Sequence, residues 1–151
     1  MAGFTISWNI EGEQQLSRRL TGLAERIRDM TPAFQETAIT LQDLFATQVF
    51  ETQGAVIDEH WDPLSPTYEA RKAKKYPGKG ILEATGAMRE GFLSLWRPDM
   101  AKVWNQVEYF KYHQSNQPRG KIPRRVMMKL AENQREQVVK IFQTFLAMPG
   151  T

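Results

Sequence analysis

From Gly12 to Gly54 the large apolar residues recur every three or four positions, and one dipeptide, Thr31-Pro32, interrupts them. Leu16, Leu20, Leu23, Ile27 and Met30 fall on one face of a first helix, with Arg18, Arg19, Glu25 and Arg26 around the outside. Threonine followed by proline both stops that helix and starts another, with Thr31 as N-cap and Pro32 at the first helical position. Phe34, Ala38, Leu41, Phe45 and Val49, widened by Leu44, give the second helix its apolar face and carry it to about Thr52. A chain of 151 residues suits one domain with one core, so these two helices bound what the remainder can be.

The remainder mixes both periods. Phe4, Ile6, Trp8 and Ile10 alternate with polar residues and predict a half-buried strand. Residues 54–90 are sparse in large apolar side chains and punctuated by Pro63, Pro66, Pro77, Gly78, Gly80 and Gly86. A structureless loop of that length is unusual in a compact domain. Short helices are therefore expected inside a projecting insertion, one from Ser65-Pro66 to about Lys75 and one from Leu82 or Glu83 to about Gly91. Phe92 to Arg97 and Ala101 to Tyr109 predict two strands joined at Pro98-Asp99. Phe110 to Gly120 reads as an extended polar excursion, and Ile122 to Met127 as a further strand. Leu130, Val138, Ile141, Phe145 and Met148, with Gln134 as a polar interruption of the series, form the apolar side of a last helix, 131–148, which Pro149-Gly150 ends. Strands cluster apart from helices, which gives an α+β class: a small, mainly antiparallel sheet packed on long amphipathic helices, with an irregular helical insertion.

Several functions lose their footing at this level. There is no cysteine, so disulfide scaffolds, thiolate metal sites and cysteine nucleophiles are excluded. The first residues lack the basic start and apolar run of a signal peptide, and no window approaches the roughly 18 to 20 apolar residues of a membrane span. His60 and His113 stand in no ligand spacing; Asp58, Glu59, His60 and Asp62 read as a solvated loop around Trp61 before they read as a metal site. Pro77-Gly78-Lys79-Gly80 lacks the spacing of a phosphate loop, and no serine lies in a hydrolase motif. The expectation is a protein without catalysis, cofactor or metal.

Charge is segregated. Residues 1–60 balance to −5, residues 61–130 to +8, and the last 21 are neutral, for a net +3. Opposite-sign surfaces favour steered, head-to-tail contact between copies or with partners. Within the basic portion, two runs, 71–79 and 111–129, interleave lysine and arginine with Tyr76, Tyr109, Phe110 and Tyr112. Such runs also suit a nucleic-acid-binding module, although no helix-turn-helix, zinc-finger or RNP signature accompanies them.

The most specific signal lies in the middle. Trp61-Asp62-Pro63-Leu64-Ser65-Pro66-Thr67-Tyr68 is followed by Lys72, Ile81-Leu82, Thr85-Gly86-Ala87-Met88, His113-Gln114 and Ile122-Pro123-Arg124-Arg125. In order and spacing this set resembles the phage virion morphogenesis, or tail-completion, family of tailed bacteriophages and Mu-like prophages. Thr67 falls one place early, Met88 stands for the usual leucine, and Val126-Met127 replaces a proline-aromatic pair.

The resemblance implies a structural virion protein of the neck or tail terminus, made in the bacterial cytoplasm. It would complete the tail and join it to the head as part of a homo-oligomeric ring, of six copies in similar proteins. Its partners would be itself, other neck, tail-tube or connector proteins, and DNA passing without specific binding. Trp61, Leu64, Ile81 and Leu82 are expected to pin the insertion to the core, each buried side chain contributing roughly 1.5 to 3 kcal/mol. Pro63 stiffens the approach, Ser65 caps the following helix, and Thr85-Gly86 permits a tight backbone approach. Arg125 is expected to offer its guanidinium to a carboxylate on a neighbour, with His113-Gln114 as a second candidate contact.

Overall fold

A computed structural model describes residues 12–115 and 120–149. The expected strand at Phe4 to Ile10 lies outside the described residues. Gly12, at φ 89°, opens α1 (Glu13–Arg28). Helix α2 (Thr31–Asp43) follows within three residues, and the Asp29 carboxylate accepts from the Thr31 amide at 3.0 Å. Asp29, not Thr31, thus supplies the oxygen for the first turn, and Thr31 is already helical.

Helix α2 continues through one π-helical turn (Leu44–Gln48) into α3 (Val49–Glu51). The wider turn has a packing consequence. Leu44-Phe45 and Val49-Phe50 are five residues apart, a spacing that an α-helix rotates onto different sides. The π turn returns all four to the core. It also frees backbone carbonyls, and Arg89 Nε donates to that of Ala46 at 2.8 Å.

At Gly54 the chain turns into a short 3₁₀ segment (Ala55–Ile57). Gly54 sits at φ 85°, and a Cβ there would lie 1.7 Å from the Glu59 carbonyl oxygen and 2.8 Å from the Trp61 ring. Only glycine lets the chain close on itself here. Helix α4 (Pro66–Lys75) begins where expected, with Ser65 at its cap position but no side-chain cap hydrogen bond. The next helix, α5 (Ala87–Glu90), is far shorter than predicted, because Leu82 (φ 63°) and Gly86 (φ 78°) adopt left-handed backbone that no α-helix can pass through.

Strands β1 (Phe92–Arg97) and β2 (Met100–Asn105) form an antiparallel pair, with Arg97 opposite Met100 across Pro98-Asp99. The pair packs on α2, where Gln42 donates to the Phe92 carbonyl and accepts from Ser94. β2 stops at Asn105, short of the expected Tyr109, because the Asn105 side chain takes over the pairing. It accepts from the Val107 amide and donates to the Met88 carbonyl. Phe110 to Gln114, expected to be extended, is the short helix α6. Residues 122–127, expected to be a strand, pair with no strand among the described residues.

Helix α7 (Glu132–Ala147) ends the described chain and packs on α1 and α2, with Phe142 edge-on to Phe34. Gln134 is the polar residue in its apolar series. That side chain is buried, accepts from the Ala131 amide at 2.9 Å and donates to the Val56 carbonyl at 2.7 Å. It supplies one arm of a capping box and ties α7 to the turn after α3.

The core runs through Leu44, Phe45, Val49, Phe50, Ile57, Trp61, Met88, Phe92, Val126 and Met127. A chain of ring contacts from Trp61 to Phe50, Phe92 and Phe110 threads it. Helices and a two-stranded antiparallel sheet sharing this core make the fold α+β. No helix among the described residues is long and apolar enough to cross a membrane.

Candidate functional site

The residues of the central motif converge in space. Pro63, Leu64, Ser65, Lys72, Leu82, His113, Ile122, Pro123 and Arg125 line a cleft of about 850 Å³ between α4, the segment before α5 and residues 121–125. Trp61 lies beneath it, 7% exposed, donating through Nε1 to the Val126 carbonyl at 2.8 Å. Ile81 lines an adjoining hollow of about 370 Å³ with Trp61. Four motif residues, Thr67, Thr85, Gly86 and Gln114, line neither space. Thr67 is exposed on α4; Thr85 accepts from the Ala87 amide, and Gly86 opens α5.

Arg125 organises the site. Its side chain is buried, and Nε and Nη2 donate to the Asp62 carbonyl at 3.0 and 2.8 Å, with Nη2 also 3.3 Å from the Pro63 carbonyl. The fork expected to meet a neighbour's carboxylate instead clamps the Trp61-to-Leu64 backbone of its own chain. The reason is local: Asp62 and Pro63 leave carbonyls with no ladder or helix partner, and a buried carbonyl without a donor is costly. Lys72, also buried, donates to the Gly80 carbonyl and anchors α4 to the turn that follows it.

Both cations bond to carbonyls, so the charge remains. Burial lowers the Lys72 ammonium pKa, opposed by Glu83 and reinforced by Arg125. Burial likewise lowers that of Arg125, opposed by Asp62 and by Tyr68. His113 titrates below the usual imidazole range because of burial and then the nearby Arg125 charge. Its carbonyl accepts from the Arg125 amide, and its buried Nδ1 has no hydrogen-bond partner among the described residues.

Gln114 braces the chain that follows Arg125. Its Oε1 accepts from the Met127 and Met128 amides, both at 3.0 Å, and its Nε2 donates to the Met128 carbonyl at 2.8 Å. One side chain thereby does for residues 127–128 what a neighbouring strand would have done. This explains why the segment is extended without belonging to a sheet.

Sequence reasoning singled out most of the lining; it placed Tyr68 in the motif and Arg71 and Lys121 in the basic runs, but joined none of the three to the site. The helical spacing of Tyr68, Arg71 and Lys72 was the available signal, since residues three and four apart share a face. The Arg71 guanidinium lies 5.4 Å over the Tyr68 ring, which holds it at the rim. Among the described residues, no group of three or more acidic or histidine side chains is placed to hold a metal ion, and Asp58, Glu59, His60 and Asp62 do not gather as one.

No curated protein and no solved structure gives a significant match to the chain. The model of the phage virion morphogenesis family matches residues 12–147, an interval that contains every cleft residue. By that match the chain belongs to the phage virion morphogenesis family, a structural type of family, and acts in building the virion.

Proposed function

We propose that the chain completes the phage tail and joins it to the head, as one subunit of a ring, of six copies, around the DNA channel at the neck. One observation carries this reading: the motif residues are joined by Arg125 and Lys72 into a braced wall of the cleft, with Gln114 fixing the chain that follows Arg125 and exposed charge left at the rim. Bracing of this kind suits a surface that must keep its shape against a neighbour, and no step of turnover chemistry is required of it. Its neighbours would be copies of itself and neck, tail-tube or connector proteins, and DNA would pass without specific binding.

Immunogold electron microscopy of purified virions tests the proposal, with label expected at the head–tail junction. Label on the capsid shell, or none on the particle, would overturn it.

The alternative use of the basic runs on nucleic acid finds less support. Lys72 and Arg125 are buried on carbonyls, Lys129 is paired with Glu59 at 2.8 Å, and Lys75 and Lys111 lie over Tyr76 and Tyr112. Tight DNA binding that persisted in moderate salt would restore that alternative.

A further inference from the structure

The exposed face of α2 has the chemistry that the cleft lacks. Between Asp29 and Ala70 the sequence holds eight carboxylates and no lysine or arginine. On α2, Glu36, Ile39 and Asp43 follow at spacings of three and four, which places them on one face. All three are exposed; Ile39, at 51%, is an apolar side chain displayed between two carboxylates. Asp43 accepts from Gln48 at 3.0 Å, which restrains it.

The cleft offers the converse. Pro63, Leu64, Leu82 and Ile122 line it with apolar surface, and Ile122 is 39% exposed. Arg71 and Lys121 stand exposed at its edge, Lys72 and Arg125 lie buried in its wall, and Asp62 is the one carboxylate among the described lining residues. Residues 109–131, which supply one wall, contain no acidic residue.

We infer that the cleft of one copy of the chain receives the α2 face of a second copy, with Ile39 against the apolar lining and Glu36 and Asp43 toward Arg71 and Lys121. This rests on the ring reading above and gives it an interface. The two surfaces share no residue, so the contact is heterologous: each copy gives α2 on one side and its cleft on the other. Head-to-tail addition of that kind generates a ring when the rotation closes. Complementary charge sets register and speeds encounter, and buried apolar contact holds the pair.

Two designs test this. Because the chain has no cysteine, an Ile39→Cys and Ile122→Cys double variant provides a clean cross-linking pair. Mild oxidation is expected to give a ladder of linked copies on a non-reducing gel, and neither single variant is expected to do so.

The second design reverses charge at exposed positions that the core does not use. One variant carries Arg71→Glu and Lys121→Glu; the other carries Glu36→Lys and Asp43→Lys. Each alone is expected to raise the concentration for half-assembly by about tenfold or more in sedimentation, with folding checked by circular dichroism. Mixed together they are expected to assemble again, because each then meets its opposite on both sides.

Unchanged assembly of either variant alone, failure of the mixture, no ladder, or a parent chain that stays monomeric up to millimolar concentration would overturn the inference. Virion labelling is an independent readout. Label at the neck with any of those results leaves the ring reading standing and removes this interface. Absence from the particle together with a ladder does the reverse.

Discussion

Helix α1 and the stretch from Gly54 to Leu130 reverse what their sequences suggest. α1 has a clear apolar period, yet Leu16, Leu20 and Ile27 are each more than half exposed and Gly22 is the one buried residue in the helix. The middle stretch has no sustained helical period, is rich in proline, glycine and lysine, and contributes Ile57, Trp61, Met88, Phe92, Val126 and Met127 to the core. Periodicity reports which residues share a face; it does not report what lies opposite that face. In the middle, order comes from single side chains that meet particular backbone atoms, a pattern with no period to detect.

The most damaging way to probe that contrast is Trp61→Ala. It removes a ring packed edge-on against Phe50 at 5.4 Å and leaves the Val126 carbonyl without its donor. The expected loss is about 3 to 5 kcal/mol of unfolding free energy, read from urea titration by far-ultraviolet circular dichroism. Trp61→Phe keeps most of the packing and separates the hydrogen-bond part, at about 1 to 3 kcal/mol. A loss below about 1 kcal/mol for Trp61→Ala would place the middle stretch on the same footing as α1.

Arg125→Lys is the next test, with a smaller expected effect. Lysine keeps the charge but cannot place two donors on Asp62 and a third contact on Pro63. A cost of about 2 to 3 kcal/mol is expected in the same titration, since charge-assisted bonds to buried carbonyls are lost. Equal stability of parent and variant would show that charge alone matters at this site.

Much of this was legible beforehand. The boundaries of α1, α4 and β1 and the apolar face of α2 followed from period and from Pro32 and Pro66, because those signals are local. The errors have a common physical origin. Asn105 ending β2, Gln114 replacing a strand at residues 127–128, Gln134 buried at the start of α7 and Arg125 turned inward are all polar side chains bonded to distant backbone. Each residue is ordinary in sequence, and its partner is set by the tertiary fold. The site followed the same rule: the ordered motif led to its walls, but Arg71 and Lys121 join them only through three-dimensional proximity.

His113 provides a subtler probe of the same buried wall. Its pKa is lowered in the fold by burial and then by Arg125, so the unfolded chain binds the proton more readily. Stability from this group is therefore fully present above the ordinary imidazole value of 6.5 and falls as pH drops below it toward the folded pKa. His113→Gln is expected to flatten the dependence of the urea midpoint between about pH 7.5 and 5, where no carboxylate of ordinary pKa titrates strongly. Parallel curves for parent and variant would place the imidazole in solvent.

The smallest effect is expected on α1, and it closes the comparison from the other side. Leu20 is 57% exposed, so the folded chain hides less than half of it from water. Leu20→Asn removes little buried apolar area from the isolated chain, in which α1 packs on α7. Asparagine is the poorer helix former, by a few tenths of a kcal/mol, and the total change in unfolding free energy should stay within about 0.5 to 1 kcal/mol. The same substitution lowers the apolar area that an assembled particle could bury. Stability of the isolated chain and incorporation into virions are therefore separate measurements, and α1 is where they should diverge. A loss above about 2 kcal/mol in the isolated chain would mean that the leucine face is already packed there. The distinction between α1 and the middle stretch would then disappear.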